Sequence, residues 1–283
     1  MNTTSRKPAA GNLAQKGALF RDLHRRDGAF MIPNPWDAGT ARLLALLGFE
    51  ALATTSAGYA FTLGRRDNEV GREQMMAHVA DLVAATDLPV SADLENGYGD
   101  DPDTVAETIR QAAAAGLVGA SIEDATARPA DPIYAFDLAV ERIRAAVEVV
   151  RGLPFPFTLT ARAENFLVGR RDLPDTIKRL QAFQEAGADV LYAPGLGNRA
   201  EIEAVVGAVD RPVNVIMGVP GLKLSVADLS AVGVKRISVG SSFSRAALGA
   251  FLRAAREVKE QGTFTYSEEA VSYKDISALL GQR

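Results

Sequence analysis

The chain has 283 residues, 47% of them hydrophobic, and a formal net charge of −4. That is enough apolar material for a large core, and the acidic balance excludes the basic face of a nucleic-acid binder. Cysteine is absent and the only histidines are His24 and His78, which excludes disulfides, thiolate sites, a cysteine nucleophile and a multi-histidine zinc centre.

Residues 1–15 carry no hydrophobic signal core and read as a flexible tail. Beyond it, short β-rich runs alternate with longer runs of helical spacing. Strands are expected at 29–34, 51–55, 89–94, 118–123, 156–161, 189–193, 212–217 and 235–240. Helices are expected at 36–47, 72–86, 102–115, 136–150, 173–186, 199–208, 225–231 and 242–260. Glycines 116, 187 and 233 stand where helix gives way to strand, as left-handed caps require. Eight strand–helix units without a long linker predict an α/β chain folded as one (β/α)8 barrel over 16–261. A doubly wound sheet is the alternative. The loops 56–71 and 124–135 are long for this pattern, which marks them as functional. Residues 262–283 form a C-terminal extension that could dock on a neighbouring subunit. No run of 18 apolar residues predicts a membrane span. A cysteine-free chain fits a reducing cytoplasm.

In a barrel of this kind the active site lies at the C-terminal ends of the strands. The polar residues there include Asn34, Asp37, Ser56, Asp93, Glu95, Glu123, Asp124, Arg162, Glu164, Asn214 and Ser241. Asp93 and Glu95 are two apart, so on a strand they face one side, and like charges held together favour a cation. With Glu123 on the next strand they form a candidate metal site: Asp93 as direct ligand, Glu95 and Glu123 through water. Oxygen ligands favour Mg²⁺, with Mn²⁺ possible. The bland alternative is that these acids cap helices or pair with arginines.

Arg162 ends a strand expected to be buried, so it needs an anion. A substrate carboxylate would serve, as would Glu164 or Glu123. The amides of Ser56, Ala57 and Gly58 could cradle an oxyanion. Asn214 could donate to a carboxylate or be a satisfied core amide. Trp36 is placed under the barrel mouth and counted with the substrate-binding residues. Asp67 reads by composition as a solvated turn residue. Tyr59 and Glu123 are the candidates for moving a proton. His24 and His78 fall on helical stretches and read as surface or interface residues. Lys223 and Lys235 are poorly placed for a Schiff base.

Together these residues resemble the isocitrate lyase / phosphoenolpyruvate mutase superfamily. The likeness rests on Thr54-Thr55-Ser56-Ala57-Gly58, Asp93-Leu94-Glu95-Asn96-Gly97-Tyr98-Gly99, Ile122-Glu123-Asp124, Ala161-Arg162-Ala163-Glu164 and Asn214-Val215-Ile216. The resemblance implies that Asp93, Glu95 and Glu123 hold Mg²⁺. It implies that Ser56 to Gly58, Arg162 and Asn214 take the 2-oxo-acid end of a substrate, and that Asp67 is a loop aspartate near the reacting group. It also implies a dimer or tetramer with the last helix swapped between subunits. The lyases of the family carry Lys-Lys-Cys-Gly-His after the fourth strand; here that stretch is Ala125-Thr126-Ala127-Arg128-Pro129-Ala130. Ala125 also replaces the lysine of the phosphonate-active members, and no histidine stands late in the barrel as in the decarboxylase type. The function expected is Mg²⁺-dependent cleavage or decarboxylation of a small 2-oxo or 2-hydroxy acid. A non-catalytic acid binder and a phosphonopyruvate-type enzyme are the alternatives.

Overall fold

The computed structural model describes residues 10–281. All eight expected strands form: β1 (Phe30–Ile32), β2 (Leu52–Ala53), β3 (Val90–Asp93), β4 (Gly119–Glu123), β5 (Thr158–Arg162), β6 (Val190–Tyr192), β7 (Val213–Ile216) and β8 (Arg236–Ser238). They make one parallel sheet in the order β1-β8-β7-β6-β5-β4-β3-β2. The seam between β1 and β2 is tied just beyond the strands. There the Ala53 amide donates to the Pro33 carbonyl at 3.1 Å. Asn34 completes the tie. Its Nδ2 donates to the Thr54 carbonyl at 2.9 Å, and its Oδ1 accepts from the Val239 and Gly240 amides. Asn34 is therefore a staple across β1, β2 and β8, and the closed sheet has no free edge there.

The helices are α1 (Ala10–Leu23), α2 (Ala38–Leu46), α3 (Ser56–Thr62), α4 (Arg72–Ala85), α5 (Pro102–Ala114), α6 (Phe136–Arg151), α7 (Leu173–Ala186), α8 (Arg199–Gly207), α9 (Val226–Ala231), α10 (Ser242–Gln261) and α11 (Tyr273–Gly281). A 3₁₀ turn (Thr265–Glu268) lies between the last two. Asp37, Asp101, Asp172, Asn198 and Ser225 cap α2, α5, α7, α8 and α9 by accepting a backbone amide. Each such cap contributes on the order of 1 kcal/mol. Asp37 is thus a helix cap rather than a site acid.

The expected tail 1–15 needs correction. Helix α1 begins at Ala10, while residues 1–9 lie outside the described residues. The reason is packing. Leu13, Phe20 and Leu23 join Phe30, Ile32, Ala51 and Val118 in one cluster, of which Phe30, Ala51 and Val118 lie at or just before the start of their strands. This cluster closes the N-terminal end of the barrel and leaves the opposite end open. A Cβ on Gly17 would lie 2.1 Å from the Pro156 carbonyl oxygen, so only glycine lets α1 approach this closely.

His24 also departs from expectation. It is buried, its Nδ1 meets the Phe20 carbonyl at 2.8 Å, and its ring packs edge-on against Phe20 and Phe30. His78 is buried as well. Burial lowers His24 to about 3 and His78 to about 4, so both rings are neutral near pH 7.

At the other end of the chain, α10 buries only Ser244 and leaves Phe251 66% exposed and Leu252 47% exposed. Its mate α11 packs on α2, where Arg42 Nη2 donates to the Leu280 carbonyl at 2.5 Å. The extension therefore meets its own barrel rather than being wholly free.

Candidate active site

Paired residues of a parallel sheet face the same side. The pairings Glu123 with Arg162, Arg162 with Tyr192, Tyr192 with Asn214, and Asn214 with Arg236 define one inward row across five strands. All five residues line a cavity of about 680 Å³ at the open end. Asp93, Glu95, Asp67, Ser56, Ala57 and Glu164 line it too.

Arg162 is the hub. Its Nη1 meets Asp93 Oδ1 at 2.7 Å, its Nη2 meets Glu123 Oε2 at 3.0 Å, and its Nε meets Glu164 Oε1 at 2.8 Å. The guanidinium also lies 5.2 Å from the centre of the Tyr192 ring. Asp93 Oδ2 accepts from the Ser56 hydroxyl at 2.8 Å and from the Ser56 amide at 3.3 Å. Both anionic partners weighed for Arg162, Glu123 and Glu164, are present, and Asp93 makes a third.

Arg162 is the one guanidinium that contacts this carboxylate group, and it cannot balance all three. Burial pushes Glu95 up to about 8, and the charges of Asp93 and Asp67 add to the effect against Arg162. Its Oε1 is buried without a hydrogen-bond partner. Burial likewise raises Glu123 well above the usual carboxylate range, with Arg162 opposing and Glu164, Asp93 and Glu95 adding. Glu164 is raised mainly by burial against the pull of Arg162. Asp67 lies on an exposed stretch of its loop; desolvation of its carboxyl and the charge of Asp93 raise it, against Ser56, Arg162 and Asn68. Burial pulls Arg162 down, but Glu123, Glu164 and Asp93 outweigh it and hold it charged. Such a cluster holds extra protons or accepts a further cation.

Among the described residues no three acidic or histidine side chains converge as a ready-made metal cage. Asp93 and Glu123 turn toward Arg162 instead of toward a shared point with Glu95. The donor set fits a hard cation all the same: it is all oxygen, over-rich in negative charge, and includes the unsatisfied Glu95 Oε1.

The loop that carries Glu95 is held by a residue that the sequence did not single out. Arg142 on α6, 1% exposed, donates to the carbonyls of Asn96, Gly99 and Asp100. Its guanidinium lies 4.0 Å from the Tyr134 ring centre. Tyr134 in turn donates to Asp100 and accepts from Asn96. Glu95 and Tyr98 take positive φ of 50° and 64°, so the turn needs this clamp.

Three expectations around the second strand change. Residues 56–62 are not loop but helix α3, capped by Thr55. Gly58 N donates to Thr55 Oγ1 at 3.2 Å, so its amide serves the cap and not a ligand. Tyr59 does not line the cavity; its ring stacks on His78 at 3.6 Å. It is therefore misplaced as a proton donor. Trp36 does not line the cavity either; its Cβ lies where α3 passes, 3.3 Å from a Cβ built on Gly58. Ser56, Ala57, Asp67, Asp93, Glu95, Glu123, Arg162 and Asn214 are brought together. Tyr192, Glu164 and Arg236 complete the wall, of which Tyr192 and Arg236 were not singled out. Asn214 is spoken for on both sides: Nδ2 donates to Ser238 Oγ at 3.0 Å and Oδ1 accepts from Arg236 Nε at 2.9 Å.

Comparison with known proteins agrees with this architecture. The model of the phosphoenolpyruvate phosphomutase family matches residues 20–259. A crystal structure from Burkholderia cenocepacia J2315, provisionally described as a lyase/mutase, superposes with a TM-score of 0.93 at 64% identity, covering 95% of this chain and 96% of that one. The oxaloacetate decarboxylase of Paraburkholderia xenovorans is 30% identical over 94% of this chain and 89% of its own length. An oxaloacetate acetylhydrolase solved with its product oxalate superposes with a TM-score of 0.84 at 25% identity, covering 98% of this chain and 96% of that one. The chain therefore belongs to the phosphoenolpyruvate phosphomutase family, within the isocitrate lyase / phosphoenolpyruvate mutase superfamily, and is an enzyme of its lyase or mutase kind.

Proposed function

We propose that the chain is a Mg²⁺-dependent carbon–carbon lyase or decarboxylase acting on a small 2-oxo or 2-hydroxy carboxylic acid. The observation that carries this reading is the charge balance at Arg162: one guanidinium among Asp93, Glu123 and Glu164, with Glu95 beside them unpaired. Asp93 would hold the ion directly, with Glu95 and Glu123 holding it through water, and Mn²⁺ would substitute. The ion supplies a Lewis acid that polarises a carbonyl next to a carboxylate. The oxaloacetate decarboxylase among the similar proteins supports a 2-oxo acid as the substrate class.

This chain's own residues then have defined tasks. Arg162 has five N–H donors, and three contacts leave capacity for an incoming oxyanion. When the bond between the first and second carbons out from the carbonyl breaks, its electron pair passes through the first carbon onto the carbonyl oxygen as an enolate, and Arg162, a largely buried cation, offsets that charge. Glu123, raised by burial against the pull of Arg162, is the group placed to pass a proton to the carbon left behind. Asp67, between α3 and α4, reaches the same cavity and completes its acidic rim. Asn214 fixes the wall opposite.

The exposed apolar face of α10 supports a homo-oligomer, a dimer or tetramer, in which that helix covers a neighbour. No helix among the described residues is long and apolar enough to cross a membrane, and the cysteine-free chain supports a cytoplasmic setting.

Calorimetric titration of Mg²⁺ into the wild type and Asp93→Ala tests the reading. The wild type binds, and the variant loses binding while keeping its fold by circular dichroism. Undiminished affinity in Asp93→Ala overturns the metal assignment.

A further inference from the structure

Arg236 is a buried cation without an anion. It is 5% exposed, lies at the start of β8 and lines the same cavity as Arg162. Its Nε is used by Asn214 Oδ1, while its Nη1 is buried with no hydrogen-bond partner. No carboxylate neutralises it among the described residues; the charges that act on it are those of Tyr192 and Arg162. Burial lowers it to about 10, which still leaves it charged at neutral pH. His24 stands near enough to feel that charge but is neutral. A buried charge in this state is costly unless something else supplies the counter-charge.

The cavity can supply it. Arg162 and Arg236 belong to one inward row, with Tyr192 and Asn214 between them. Three strand steps of about 4.8 Å put roughly 14 Å of wall between the two backbones. Both side chains line the one cavity, so a ligand that carries two anionic groups can meet both cations. Asn214 and Ser238, already hydrogen-bonded to each other, hold the Arg236 fork in place.

We propose that Arg236, positioned by Asn214 and Ser238, binds the second carboxylate of a dicarboxylic substrate. This rests on the functional reading above and narrows its substrate class to diacids. The first carboxylate and the oxo group lie at the Arg162 end, and the distal carboxylate pairs with the free edge of Arg236. Arg236 is thus a specificity residue: it discriminates a diacid from the monoacid that lacks the distal charge.

The test is calorimetry with Mg²⁺ present, using 2-oxoglutarate and 2-oxopentanoate, which share the 2-oxo-acid end and differ in the distal carboxylate. The wild type is expected to bind the diacid at least tenfold tighter. Arg236→Gln is expected to abolish that preference while changing monoacid affinity less than twofold. Arg236→Lys keeps part of the preference, since the charge remains without the fork. Without ligand, Arg236→Gln melts at the wild-type temperature or above, because a buried unpaired charge is gone. Equal loss of both acids in Arg236→Gln, or a preserved diacid preference, overturns the proposal. A wild type that binds the monoacid without preferring the diacid overturns this inference alone. A wild type that binds neither acid with Mg²⁺ overturns the functional reading and this inference together.

Discussion

Glu95→Gln offers a direct view of the charge imbalance in the site. Glu95 is buried, one of its oxygens has no partner, and its pKa is raised from 4.5 to about 8. A carboxyl with a raised folded pKa keeps a proton that the unfolded chain releases. Its contribution to stability is intact below pH 4.5 and drains away as the pH rises to about 8. At 1.36 kcal/mol per pH unit, the ceiling on that loss is about 5 kcal/mol. Glutamine keeps the shape and cannot ionise. Urea unfolding in EDTA at pH 5, 6.5 and 8 reads the effect. The wild type should lose a few kcal/mol more than Glu95→Gln over that range. Mg²⁺ should restore the wild type more at pH 8 than at pH 6.5, because binding displaces the proton. Parallel pH profiles for the two proteins would refute the claim that Glu95 carries a proton in place of an ion.

Other outcomes follow from the same geometry. Gly58→Ala places a Cβ 2.5 Å from Thr55 Cγ2, so the cap of α3 must shift; a loss of roughly 1–3 kcal/mol is expected in denaturant titration. Arg142→Met strips donors from three loop carbonyls; it should cost at least about 2 kcal/mol and weaken Mg²⁺ binding in calorimetry, since the Glu95 turn loses its clamp. Phe251→Asp with Leu252→Asp should reduce the sedimenting mass, because both side chains are exposed on α10; a wild type that already sediments as a monomer contradicts the oligomer.

Much of this architecture is legible before folding. Each strand is a compact apolar run between glycine or proline punctuation, so the period is plain and all eight strands and their helices fall where expected. Helix α3 is not legible, because Ser-Ala-Gly-Tyr-Ala-Phe-Thr is short and carries a glycine at its third residue. Its existence depends on the Thr55 cap and on the glycine that lets it pass close to the Trp36 Cβ. For the same reason Tyr59 could not be assigned a side; one turn of helix aims it at His78 and away from the cavity.

Asp93, Glu123 and Arg162 were legible as strand-end charges. Glu123 and Glu164 were legible as partners for Arg162, but that Asp93 joins them was not, because it depends on how β3 sits against β5 across the barrel. Arg236 shows the same limit. It was not singled out because it opens its strand, yet barrel strands tilt and stagger. The row that starts at Glu123 on β4 therefore runs down to Arg236 on β8.

The central claim is metal-dependent breakage of a bond beside a 2-oxo or 2-hydroxy acid group. The direct measurement is product detection by NMR across a panel of C3–C6 2-oxo and 2-hydroxy acids, with Mg²⁺ and with EDTA. The account predicts turnover of at least one acid with Mg²⁺ and its loss in EDTA. Acids that raise the melting temperature while none is turned over would contradict it and leave a binding protein in its place.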